Sequence, residues 1–200
     1  EHSDLDILEF DDGLPTKRRS IPKSLFGPPF ALDSAFSSNF DFLLACATNL
    51  GKMSELCDFE NACATSDAYK LKPLMQNLTG TFDSKKYFKV INTGTILPFA
   101  NKWGKSEMVY LGDKYLFPVV DREAFFEEFP NSYSQKAQKP KVVVKGLNLL
   151  DATLDLDGTI IPGKTTLIGS SSRSDDLYFV LGILNSRFAL FYLKNRYPAS

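Results

Sequence analysis

Apolar residues recur at helical spacing between Asp175 and Arg196. Leu177, Val180, Leu181, Leu184 and Phe188 fall on one stripe, with Tyr178, Phe191 and Tyr192 beside it. Ser174 is placed to cap this run, and Asp175 and Asp176 suit the positive end of a helix. Lys194 and Arg196 suit the other end. Gly182, Asn185, Ser186 and Arg187 interrupt the stripe, so it is too broken to span a membrane. Ser186 can cap a second helix, which leaves two readings: two short helices in series, or one bent helix.

Elsewhere the pattern changes to a period of two. Tyr87, Lys89 and Ile91 alternate with Phe88, Val90 and Asn92, which predicts a strand ending in a turn at Thr93-Gly94-Thr95. Val142, Val143 and Val144 run without a polar break, which predicts a strand at 141–145 covered on both faces. Residues 108–120 read as a hairpin, or two short strands, about Gly112-Asp113. Residues 152–161 read as a hairpin about Asp157-Gly158, and Pro162-Gly163 turns the chain into a strand over 164–168.

Two further helices are expected. One runs from Phe40 to about Ala47 behind the cap Ser38-Asn39, and the other from Arg122 to Phe129 behind Asp121, ended by Pro130. The adjacent Glu127 and Glu128 point to different sides of the second helix and read as a solvated face. Residues 131–139 read as a polar loop and 169–173 as a flexible one. Residues 1–38 carry turn signals at Asp12-Gly13, Pro15, Pro22 and Pro28-Pro29, and read as an irregular arm. Together these predict an α+β fold: a β-rich, mainly antiparallel sheet domain with short helices and a C-terminal helical segment.

Two hundred residues suit one domain, or one domain with an arm. A hydrophobic share of 44% sets aside a disordered chain. The net charge of −1 sets aside a nonspecific polycation. It hides an asymmetry, however. Residues 1–84 carry seven Lys/Arg against thirteen Asp/Glu, and residues 85–200 sixteen against eleven. A basic half can supply a local face for phosphates.

Cys46, Cys57 and Cys63 form no C-x-x-C pair, and no signal peptide is read, which suits free thiols in a reducing cytoplasm. Cys46 reads as a core residue. His2 is the sole histidine, so no Ser-His-Asp set, Cys-His set or zinc site is expected. A phosphate-binding G-x-x-x-x-G-K-[ST] loop is absent. The sequence starts at Glu1 without Met and stops abruptly after a helix, which reads as a piece cut from a longer protein.

Three stretches invite chemistry. Phe26-Gly27-Pro28-Pro29-Phe30 echoes the Asn/Asp-Pro-Pro-Tyr/Phe site of adenine methyltransferases. Gly27 lacks the acceptor side chain that site needs, so a proline turn is expected. Asp155, Asp157 and Lys164 loosely echo a nuclease set, but Asp157 is accounted for by its turn. The loop Phe99–Lys105 holds the only Trp among cations. Trp103 there either touches sugar or base edges while lysines hold phosphate, or anchors the loop to the core.

The basic-hydrophobic strand KPKVVVKG (139–146), a short meander, and the helix pattern L-x-x-x-L-G-I-L-N-S-x-x-x-x-F-Y beginning at Leu177 resemble one family. That family is the TaqI-like C-terminal specificity domain of bacterial N6-adenine DNA methyltransferases and fused type II restriction-modification enzymes. The likeness runs from about Leu50 to Lys194, and Leu184-Asn185-Ser186 is its most specific part. Ile91-Asn92-Thr93-Gly94, before a basic aromatic loop, is a further shared feature. A comparable stretch opens the family's domain, so the resemblance implies a short strand at 56–59 and then a loop of small residues through Ala62, Thr65 and Ser66, where Asn61 or Ala62 stands in place of the family's usual glycine.

The resemblance implies a lead-in at 1–49 from an upstream domain and a target recognition domain at 50–200. It implies no catalysis by this piece alone. An N-terminal methyltransferase domain of the same polypeptide would bind S-adenosylmethionine, and double-stranded DNA would be the partner, in the cytoplasm. Loop position and charge nominate Lys85, Lys86, Lys89, Lys102, Trp103, Lys105, Lys145, Lys164 and Arg173 as DNA contacts. Thr65, Ser66 and Lys70, with Tyr69 beside them, are candidate phosphate donors, against a polar turn in which Tyr69 is packed. The rival expectation is a protein- or glycan-binding β module that uses Trp103 and the Phe/Tyr excess. A third is an enzyme whose site the sequence does not display.

Overall fold

A computed structural model of the chain describes residues 4–22, 39–130, 132–146 and 150–196. The strands and helices in chain order begin with β1 (Asp4–Asp11), β2 (Leu14–Pro22), α1 (Phe40–Asn49), β3 (Asp58–Asn61), α2 (Thr65–Leu71), β4 (Met75–Asn77) and β5 (Tyr87–Ile91). Then come β6 (Ile96–Leu97), β7 (Ala100–Asn101), β8 (Met108–Tyr110), β9 (Asp113–Tyr115), β10 (Pro118–Asp121), α3 (Arg122–Glu128) and α4 (Ser132–Gln138). The series ends with β11 (Lys141–Lys145), β12 (Ala152–Asp155), β13 (Ile160–Pro162), β14 (Thr166–Ser170), α5 (Ser174–Leu184) and α6 (Arg187–Arg196). Mostly antiparallel sheets and six short helices make this an α+β fold, as the periodicities predict. Two compact units are present: Glu1–Gly51 with Leu190–Ser200, and Lys52–Ala189.

In the first unit, residues 4–22 form a hairpin where the sequence suggested an irregular arm. β1 and β2 pair antiparallel with a register shift at Glu9/Phe10. Asp12 and Gly13 take φ of 47° and 78°, the left-handed pair that matches the twist of a two-residue hairpin loop. Asn39 precedes α1 without a side-chain capping bond. Its amide instead donates to Asn195 Oδ1 at 2.9 Å. Phe42 meets Phe191 edge-on at 6.0 Å, and Arg19 lies 4.8 Å over the Phe40 ring. The proline turn expected at Gly27-Pro28-Pro29 lies outside the described residues, as do Ser38 and His2.

The second unit holds two four-stranded sheets, ordered β13-β5-β10-β4 and β12-β11-β14-β3. All pairings are antiparallel except β13 with β5. Phe88, Val90 and Val120 of the first sheet pack with Phe125 of α3, Phe129 just after it and Tyr133 of α4. Val142 and Val144 pack against Leu177, Val180, Leu181 and Leu184 of α5. Val143, on the opposite face of β11, joins Ile91, Ile160 and Ile168. The unbroken valine run therefore reflects a strand covered on both sides, as expected.

Several local expectations change. Residues 152–161 do not form a hairpin, because β12 and β13 belong to different sheets. The polar loop at 131–139 is largely the helix α4, which buries Tyr133 and Ala137 at i and i+4. Thr65 and Ser66 open the helix α2 rather than lie in a loop, and Tyr69 on it is 61% exposed, not packed. Gly169 and Ser170 close β14, with the Phe59 ring lying where a Cβ on Gly169 would stand. At the C-terminal end the two-helix reading holds. Ser174 is the first helical residue rather than the cap, and Ser186 Oγ accepts from Ala189 N at 3.0 Å, capping α6. Among the described residues no single helix is long and apolar enough to cross a membrane.

Candidate functional site

The turn before β5, the outer face of that strand, the start of α3 and the turn after β12 enclose an open depression of about 630 Å³. Its cations are Lys85, Lys89 and Arg122. Phe82, Ser84, Asp157 and Thr159 complete its walls. The strand period explains Lys89: Phe88 and Val90 enter the core, so Lys89 points the other way. In register it lies between Val119 of β10 and Ile160 of β13. The cap explains Arg122. Asp121 Oδ1 accepts from Glu123 N at 3.0 Å and Ala124 N at 3.3 Å, which starts α3 at Arg122. Arg122 N donates to Lys86 O at 2.9 Å, fastening that start to the turn before β5.

Aromatic rings hold two of these cations, Lys89 and Arg122, in place. Lys89 Nζ lies 4.5 Å from the Phe82 ring centre and 4.9 Å from that of Trp103. Arg122 Cζ lies 3.8 Å over the Phe88 ring, and one guanidinium nitrogen donates to Ser84 O at 3.2 Å. Partial burial pulls the Arg122 pKa down. An arginine starting from so high a value keeps its charge. Among the described residues none of Lys85, Lys89 and Arg122 forms an ion pair. Their charge is left for a ligand.

The turn that carries Asp157 and Thr159 rests on a buried ion pair. Lys141 Nζ donates to Asp155 Oδ2 at 2.5 Å, to Ala137 O at 2.8 Å and to Lys139 O at 3.2 Å. Asp155 accepts from Thr159 N and Ile160 N, each at 3.0 Å. The two side chains are 0% and 2% exposed. Burial pulls the Lys141 pKa down, and Asp155 opposes that pull. Gly158 has φ of +59°, and a Cβ there would stand 1.9 Å from Gln138 O. This clamp explains why the Asp157-Gly158 turn makes no hairpin: Asp155 takes the amides of Thr159 and Ile160 and sends the chain to the other sheet. Asp157 itself is exposed and makes no side-chain hydrogen bond or ion pair among the described residues. Asp155 is a structural ion, so the nuclease echo has no open acidic pair.

The nominated contacts separate into groups. Lys85, Lys89 and Trp103 come together, and Lys86 sits on the same turn, its charged form favoured by a hydrogen bond with Tyr87. Trp103 Nε1 donates to Pro118 O at 2.8 Å, and its ring meets Phe82 and Phe117 edge-on at 5.6 and 5.3 Å. That is the anchoring arrangement of the two expected for it. Lys102 and Lys105 flank Trp103 in the following turn, also without ion pairs among the described residues.

Lys164 follows β13 beyond its pairing with Ile91, at the far end of β5 from Lys85. Lys70, Lys145 and Arg173 are already matched, to Glu128 at 3.3 Å, Asp151 at 3.5 Å and Asp176 at 3.8 Å. Thr65 and Ser66 stand with Lys70 on α2, apart from the depression. Arg122, Phe82 and Thr159 are the residues that sequence reasoning passed over. Asp121 marked a helix start at Arg122, but its approach to Lys85 depends on the pairing of β10 with β5, which has no local signature.

Among the described residues, no three His, Cys, Asp or Glu side chains are grouped to hold a metal ion. The depression offers a seat for an anion, with the Asp157 carboxylate as the one acidic side chain in its lining. Compared with known proteins, the chain matches no family model and no curated sequence.

Proposed function

We propose that this chain is the DNA-recognition part of a type II adenine-N6 methyltransferase, acting in the bacterial cytoplasm. In this reading it binds duplex DNA and presents the target adenine to a catalytic domain elsewhere in the same polypeptide. S-adenosylmethionine would bind there, and the chain would not catalyse methyl transfer alone. The observation that carries the reading is the depression: three cations without ion-pair partners among the described residues, two of them, Lys89 and Arg122, ordered by aromatic rings. Cations held in place before binding lose less entropy on meeting phosphate, and each phosphate neutralised releases condensed counterions.

The test is fluorescence anisotropy of the full chain with labelled duplex DNA across a salt series. Binding should weaken with salt, with a log-log slope of roughly 0.9 per phosphate contact. Alanine at Lys89 or Arg122 should lower that slope by about one. Absence of salt-dependent duplex binding overturns the reading. The methyltransferase part is tested by expressing the parent gene in a methylation-free host and mapping modified bases. N6-methyladenine at one recurring motif, lost when residues 50–196 are exchanged, supports it.

A second reading, a protein-binding β module, draws on Tyr178 and Phe179 of α5, which are 53% and 60% exposed. It expects little salt dependence and no preference for DNA.

A further inference from the structure

We infer that Asp157 is a specificity-determining residue that accepts a hydrogen bond from the exocyclic amino group of a cytosine in the major groove. Lys85, Lys89 and Arg122 would hold the neighbouring phosphate. The inference rests on the DNA-binding reading above and goes further by assigning a base.

Asp157 sits among three cations yet pairs with none of them among the described residues. Its turn is clamped from behind. Asp155 holds the amides of Thr159 and Ile160, Lys141 holds Asp155, and Gly158 abuts Gln138 O. The backbone that carries Asp157 is therefore fixed, its exposed carboxylate is presented from one place, and a ligand beside it must suit an acceptor.

A carboxylate accepts hydrogen bonds and cannot donate them. In the major groove guanine shows N7 and O6 and thymine shows O4, all acceptors. Each would leave Asp157 desolvated and unmatched beside phosphates. Adenine offers an amino group, but its N7 acceptor lies next to it. Cytosine offers the N4 amino group with the guanine O6 acceptor on one side only and a C–H on the other, so a carboxylate can approach it from the C–H side. The same side chain therefore favours one base and rejects the others by repulsion, while the cations hold any sequence alike.

The experiment selects bound duplexes from a randomised pool with the wild-type chain, D157A, D157N and R122A, and measures each against salt. The wild-type pool should fix cytosine at one position. D157A should relax that position alone and weaken the preferred site by about 5- to 150-fold, with nonspecific duplex binding undiminished. D157N should move the preference at that position toward adenine, because an amide can pair with both N6 and N7. R122A should weaken all duplexes alike and lower the salt slope by about one. The Asp157 side chain makes no hydrogen bond or ion pair among the described residues, so D157A and D157N should fold as the wild type does; for R122A, which loses the bond to Ser84 O, a thermal unfolding curve confirms the fold before binding is read. An unchanged base preference in D157A and D157N overturns the inference and leaves DNA binding standing. A wild-type chain that binds no duplex overturns both.

Discussion

The most demanding single interaction is Lys141 with Asp155. Both side chains are fully buried, and every hydrogen bond that Asp155 accepts comes from the turn it shapes or from Lys141 and Thr159. Removing one partner of such a pair leaves a charge without compensation and typically costs about 3–5 kcal/mol. K141M should therefore lower the free energy of unfolding by that order, measured by urea denaturation, and D155N should do likewise.

Tyr133 makes a second residue-scale statement. Its hydroxyl donates to Pro162 O at 2.9 Å, and burial pushes its pKa well above 10.0. Burial also pushes Tyr110 up, and Cys63 up from 9.0. A group raised in this way keeps its proton in the folded chain after the unfolded chain has lost it. Stability is then fully present below the unfolded value and falls as pH rises past it. Lys141, whose pKa is lowered, has the opposite sign and adds stability on approach to 10.5. Unfolding followed between pH 9 and 11 should show stability falling above about 10. The decline in Y133F should be shallower by about 1.4 kcal/mol per pH unit, beyond a constant loss of about 1 kcal/mol for the missing hydrogen bond. Equal slopes in the two proteins would remove Tyr133 as a cause.

At the scale of elements, the break between α5 and α6 ties a helix to a sheet edge. β12 is an outer strand, and Asn185 completes it: Oδ1 accepts from Ala152 N at 2.9 Å, and Nδ2 donates to Ala152 O at 3.0 Å. The amide side chain imitates a neighbouring strand at this edge, where Phe99 N also donates to Ala152 O at 2.9 Å. Nδ2 also donates to Leu181 O, ending α5, and Ser186 then starts α6. This gives Leu184-Asn185-Ser186 a physical task in this chain. N185A should cost about 1–3 kcal/mol, because it strands a buried amide. N185D should recover only part, since a carboxylate accepts from Ala152 N but cannot donate to its carbonyl. Thermal unfolding of the three proteins ranks them. Of the expected caps, Asp121 and Ser186 were legible because they act on amides two or three residues away, while Ser174 is instead the first helical residue and Asn39 makes no side-chain capping bond; β12 was misjudged because the partner of β13 lies some seventy residues earlier, in β5.

At the scale of the whole molecule, a net charge of −1 cannot draw a polyanion by itself, so the placement of cations decides. Ion pairing divides them. Alanine at Lys145 or Arg173, which already face Asp151 and Asp176, should leave the salt dependence of DNA binding nearly unchanged, in contrast to alanine at Lys89 or Arg122. Equal effects from the two sets would mean that the charges act diffusely rather than through one seat.

The sequence by itself determined the α+β class, the doubly covered valine strand, the helix behind Asp121 and the interruption at Asn185-Ser186. Period and capping are local properties, written within a few residues. Only the tertiary structure decided that β13 would leave β12 for β5, that Lys141 and Asp155 would be buried together, and that Arg122 would join Lys85 and Lys89 beside Asp157. Each of those depends on which distant segments share a sheet or a core. Packing selects that arrangement over the whole chain, and it leaves no periodic mark in any one stretch.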